Sequence, residues 1–312
     1  MRRAIHAAVA GACAAGAARL AYAAMNRRPP GGPKAWSRTN HRGEPVTLLE
    51  GPAVAAGAIA GVLAQAGLAA VSGSPGSPDG PGWRRTGAMV LGGAGAAAFG
   101  AYDDLAGSGD RRGFRGHLGA LRHGEVTTGA VKLGGIGATG IISAALAGGS
   151  PADVILNAVL VAGGANLINL FDLRPGRAIK VTAVSGTLLG AAGQDGVAAP
   201  LGAALALLPE DLGERAMLGD AGANALGAML GASAAGLSRP ARIALLAGIA
   251  GLTAASEKVS FTKVIQRTPA LNWLDMLGRR PAIPAQPGPV DCAGAATSTR
   301  SAEKPDPLPP DE

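Results

Sequence analysis

Charge is what this chain has little of. Only 16% of its residues are Asp, Glu, Lys or Arg, against about 25% in soluble proteins. Those charges are clumped between long Ala/Gly/Leu/Val runs. The 312 residues would suffice for two soluble domains, but this pattern argues instead for a polytopic membrane protein. Aromatics are scarcer still, at 3%. With so few rings to stack on bases, and with the basic residues in short loops, the formal charge of +7 reads as positive-inside charge and not as a nucleic-acid surface. There are two cysteines, Cys13 and Cys292, too distant in sequence and setting for a metal pair or a disulfide framework.

What is there is apolar sequence in span-sized pieces. Candidate spans run over 4–25, 48–71, 86–102, 126–147, 153–171, 178–193, 197–209, 221–237 and 241–255, judged against the 20 or so apolar residues that a crossing needs. The expected fold is all-α: a transmembrane bundle of about nine helices, N terminus outside and C terminus cytoplasmic. The sixth and seventh spans are short, and a re-entrant hairpin turning at Gln194-Asp195-Gly196 is the alternative for that pair. The first segment could also be a cleaved signal peptide, but Arg27, Arg28, Lys34, Arg38 and Arg42 follow it and favour a retained span. In this orientation the inside loops and the stretch to Arg280 hold eighteen Lys and Arg, and the outside loops six. That asymmetry sets sidedness. Residues 1–255 form the membrane domain, 256–280 an amphipathic cytoplasmic segment, and 281–312 a Pro/Ala-rich tail expected to be disordered.

Three polar motifs fall on the inner face. The first is the acid pair Asp103-Asp104 at the end of an apolar run, followed by Asp110, Arg111, Arg112 and Arg115. Carboxylates at the mouth of an apolar helix are costly unless they bind a cation or face water, and guanidinium groups suit an anionic ligand. An ordinary hydrophilic loop is the competing reading. The second is Asn166-x-x-Asn169-x-x-Asp172, whose spacing puts two amides and a carboxylate on one helix face. Arg174, Arg177 and Lys180 follow it across a Pro175-Gly176 turn, with helix capping and positive-inside charge as the plainer explanation. The third is Leu218-Gly219-Asp220-Ala221-Gly222-Ala223-Asn224, where Asp220 is either an N-cap or part of an anion- and metal-binding helix start.

The order of an acid pair at one span end, NxxNxxD at a later one and LGDxG at a third resembles the polyprenyl-phosphate sugar-1-phosphate transferases, the glycosyltransferase 4 family. The basic loop with His41 and Pro45 also resembles, loosely, that family's first cytoplasmic loop. The resemblance covers about residues 25–255. It implies a multi-pass plasma-membrane enzyme of cell-envelope polysaccharide or peptidoglycan precursor synthesis, active on the cytoplasmic face. It implies transfer of a sugar-1-phosphate from a UDP-sugar to a polyprenyl phosphate, with Mg²⁺ as cofactor and UMP as leaving group. Asp103, Asp104 and Asp172 would then be catalytic, with Asp104 and Asp220 on the metal. Asn166, Asn169, Arg112, Arg115, Arg174, Arg177 and Lys180 would hold substrate. The partners would be the two substrates and the bilayer, with a homodimer as one open assembly. The chain departs from the family in three places. Leu173-Arg174-Pro175-Gly176-Arg177 stands where the family has Gly and a second DG, Gly222-Ala223 stands where it has GS, and 256–263 holds no His. A catalytically reduced member serving as a membrane scaffold is the second expectation.

Overall fold

Long Ala- and Leu-rich runs with few β-branched interruptions favour helix, and helices satisfy their own backbone polar groups, as lipid demands. The computed structural model describes residues 2–40, 42–72, 82–107 and 127–281. Its helices are α1 (Arg2–Arg27), α2 (Pro33–Trp36), α3 (Glu50–Val71), α4 (Gly82–Ala106), α5 (Thr128–Ala147), α6 (Pro151–Phe171), α7 (Arg177–Ala191), α8 (Ala198–Leu212), α9 (Gly219–Ala234), α10 (Arg239–Ser256), α11 (Phe261–Arg267) and α12 (Pro269–Met276). A short antiparallel hairpin, β1 (Ser37–Thr39) and β2 (Pro45–Thr47), joins α2 to α3.

A helix stands at each of the nine expected span positions. Four of them, α1, α3, α5 and α6, are long and apolar enough to cross a bilayer, and the bent pair α10–α11, folded by 96°, makes a fifth if it is one broken span. The others fall short for separate reasons. The 15-residue α7 and α8 rise about 22 Å, less than the roughly 30 Å of a hydrocarbon core. They fold back on each other through a turn and a 3₁₀ segment at Asp195–Val197, where the sequence placed its hairpin. α4 carries Arg84, Arg85, Asp103 and Asp104, and α9 is short and Gly-rich.

α9 is the axis of the bundle. It is buried along almost its whole length, with α6, α4, α3 and α7 packed around it. The close approach needs glycine: a Cβ on Gly227 or Gly231 would collide with the backbone of Gly164 or Leu160 on α6. At the other end of α9, a Cβ on Gly100 of α4 would collide with the Asp220 carbonyl. Gly100 therefore sets how closely the acid pair can sit to the start of α9. α1 packs on α3 and α8, while α10 leans on α6. There Arg242 donates to Asn157 Oδ1 and Asp153 Oδ1 at 2.8 and 2.9 Å.

The segment after α10 forms two short helices, α11 and α12. Its packed side is fixed by ion pairs: Arg177 Nε and Nη2 donate to the two carboxylate oxygens of Asp275 at 2.7 and 3.1 Å. Its outer side leaves Leu271, Trp273 and Met276 exposed.

Candidate functional site

The three polar motifs meet at one end of the bundle. Asp103 and Asp104 close α4, Asp220 lies in the first turn of α9, and Asp172 follows the last turn of α6. The first N–H groups of a helix have no partner within it. In α9 they are met from outside: Asp104 accepts from the Asp220 N–H at 3.0 Å with Oδ1 and from the Ala221 N–H at 2.9 Å with Oδ2. Asp220 is thus not the N-cap that its position suggested. Leu218 occupies that position without a side-chain bond, and Asp104 does the capping from a neighbouring helix. Arg38 of the hairpin donates to the Asp104 carbonyl and ties β1 to the same point.

Beside this cap sits a cation supplied by the protein. Lys132, in the second turn of α5, places its Nζ 2.8 Å from Asp103 Oδ2 and 2.6 Å from Asp220 Oδ2. Two carboxylates from different helices share one ammonium, and all three side chains are at most 22% exposed. Sequence reading missed Lys132, although a lone lysine within an apolar span is itself a signal.

Asp172 lies next to this group, lining a cavity of about 100 Å³ with Arg174, Asp211, Glu214 and Asn40. Burial, and then the negative charge of Asp211, Asp220 and Asp104, raise the Asp172 carboxyl above its usual range. Burial likewise pushes Asp211 up to about 7, with the Gly176 N–H, Lys180 and Arg279 pulling the other way. Asp211 and the fully buried Glu50, both missed in the sequence, have oxygens without a hydrogen-bond partner.

The remaining candidates divide. Asn166 turns toward α10 and donates to Thr253 Oγ1 at 3.3 Å, so it does not share a ligand-facing surface with Asp172. The Asn169 carbonyl accepts the Asp172 N–H in the last turn of α6. Arg177 and Lys180, expected to hold phosphate, are occupied as clamps. Arg177 holds Asp275 and also donates to Thr262 Oγ1. Lys180 donates to the carbonyls of Leu274, Asp275 and Leu277. Arg174 makes no such bond among the described residues and lines the cavity. Arg112, Arg115 and His41 lie outside the described residues, as do residues 282–312.

The donor set suits a hard divalent ion. Asp103 and Asp220 offer two oxygens to one cation-sized position, already taken by an ammonium. Among the described residues no three His, Cys, Asp or Glu side chains converge tightly enough to hold a bare ion, but Mg²⁺ keeps several waters and needs only one or two carboxylates. Of Asp104 and Asp220, the pair expected on the metal, Asp104 uses both oxygens to accept N–H groups at the start of α9, while Asp220 Oδ2 shares the Lys132 ammonium with Asp103. The chain matches no family model and no curated protein.

Proposed function

We propose that the chain is a polytopic membrane phosphotransferase that moves a sugar-1-phosphate from a UDP-sugar to a polyprenyl phosphate at the cytoplasmic face. One observation carries this reading. Carboxylates from α4 and α9 converge on a single cation beside a helix N-terminus, and that is what joining two anionic substrates needs. Asp103 and Asp220 would hold Mg²⁺, which when bound supplies charge neutralisation for a diphosphate. Asp104 positions α9 and so keeps Asp220 in register with Asp103. Lys132 answers the two carboxylates while no other cation does, and is freed toward a lipid or donor phosphate when one arrives. Arg174 is the described cation left for the donor phosphates. The excess of Lys and Arg in the inside loops supports the cytoplasmic assignment.

The scaffold reading draws on the clamps. Arg177 and Lys180 pin the last two helices, and Lys132 already balances the acids.

Thermal protection separates the two. Purified protein with Mg²⁺ is heated in the presence of each of a panel of UDP-sugars. A transferase is stabilised by one sugar nucleotide more than by UMP, and Asp103→Asn removes the difference. Equal protection by UMP and every UDP-sugar, with no UMP released from any of them, supports the scaffold.

A further inference from the structure

The last helix shows an apolar side that the bundle does not cover. α12 packs through Asp275, whose carboxylate takes Arg177 Nε and Nη2 at 2.7 and 3.1 Å. Lys180 Nζ closes the same end by donating to the carbonyls of Leu274, Asp275 and Leu277, groups that a helix terminus leaves without partners. These contacts fix how the helix is turned. Trp273, two residues before Asp275, lies about 160° around the axis from it and is 67% exposed. Leu274, Met276 and Leu277 are exposed as well, and Pro269 and Ala270 add no polar group to that side. A helix facing water keeps its polar residues outermost. In α12 the two polar residues, Asn272 and Asp275, are the ones wholly or partly covered.

Two further observations say what covers the apolar side. The first is depth. Phe171 closes α6, one of the helices long and apolar enough to cross a bilayer. Phe261 opens α11, and the two rings stack with centroids 5.2 Å apart and planes 16° apart. α11 thus starts level with the end of a span, and it runs at 96° to α10, across that helix and not onward from it. α12 follows after Thr268 and is tied back to Arg177, just past the end of α6. Such a segment stays at the membrane surface.

The second is charge. Lys258, Lys263 and Arg267 are exposed along the approach to α12, against one exposed acid there, Glu257. Cations beside an apolar face suit anionic lipid headgroups, and Trp favours the same level of a bilayer.

We propose that α11 and α12 form a lipid-binding surface. Trp273, Leu274, Met276 and Leu277 enter the boundary between headgroups and acyl chains, and Lys258, Lys263 and Arg267 meet anionic headgroups. Arg177 and Lys180 hold α12 in the orientation this needs. The proposal uses the membrane placement of the bundle and none of the transfer chemistry, so it stands whether or not the transferase reading does.

The full chain is reconstituted into vesicles of phosphatidylcholine, with and without phosphatidylglycerol. Its Trp emission is compared with that of Trp273→Phe, so that the difference reports Trp273 alone. Lipids brominated on their acyl chains are expected to quench that difference, with a greater loss when phosphatidylglycerol is present. Lys258→Gln/Lys263→Gln/Arg267→Gln should abolish the extra loss. A difference signal that brominated lipid leaves unchanged overturns the proposal. Iodide then tells what covers the face instead: water if it quenches the signal, a second copy of the chain if it does not. Equal quenching with and without phosphatidylglycerol overturns the role given to the three cations.

Discussion

Asp104 caps two N–H groups of α9 from another helix, and this sets what its loss should do. Charge-assisted bonds to a helix start are among the stronger local ones. Asp104→Ala is expected to cost about 2 kcal/mol, read as a lowered melting temperature in detergent, whether or not ligand is present. An unchanged melting temperature would mean that the cap is not what holds α9. Asp275 makes the second residue-scale case. Burial alone would raise its carboxyl, but Arg177 and Arg279 overcome that and hold it below its ordinary value. A carboxyl with a lowered folded pKa adds stability that is complete above its unfolded pKa and is lost as pH falls through the folded one. The melting temperature should therefore drop as pH falls below about 4, and Asp275→Asn should weaken that acid dependence. At neutral pH the same variant leaves the buried Arg177 without its counter-ion, at a cost of about 3 kcal/mol.

Among the elements, the helices were largely legible, because apolar runs broken by Arg, Pro and Gly give nearly the same boundaries as the backbone. The candidate acids were legible as well, since each ends or opens a run. Their partners were not. Asp104 and Asp220 are 116 residues apart, and Lys132 and Asp220 are 88 apart, so only packing joins them. Asp211 and Asp275 carried no signal in the sequence, because nothing local reveals burial. Arg177 and Lys180 followed the motif at phosphate-binding spacing, yet tertiary contacts turned them inward. Glycine was equally ambiguous in sequence and is separated by contact. Gly227→Ala should push α9 from α6 and destabilise by roughly 2 kcal/mol or more, the order expected of overpacking. Gly134→Ala in α5 has open space around its Cβ position and should stabilise by about 0.5 to 1 kcal/mol through helix propensity. Thermal melts of the two variants side by side check this, and equal effects would contradict the packing.

For the whole molecule, most of the buried and half-buried acidic charge lies at one end of the bundle. There α3, α4, α5, α6, α8 and α9 bring Glu50, Asp103, Asp104, Lys132, Asp172, Asp211 and Asp220. Ionisable groups in a helical membrane bundle are expensive, and concentrating them suits chemistry on anions at the membrane surface. The most direct measurement is UMP release by membranes carrying the protein, supplied with polyprenyl phosphate and a panel of UDP-sugars. Wild type should release UMP from one of them only when Mg²⁺ is present, and Asp220→Asn should release none. UMP release that persists in Asp220→Asn, or that ignores Mg²⁺, would contradict the roles proposed for Asp220 and the metal.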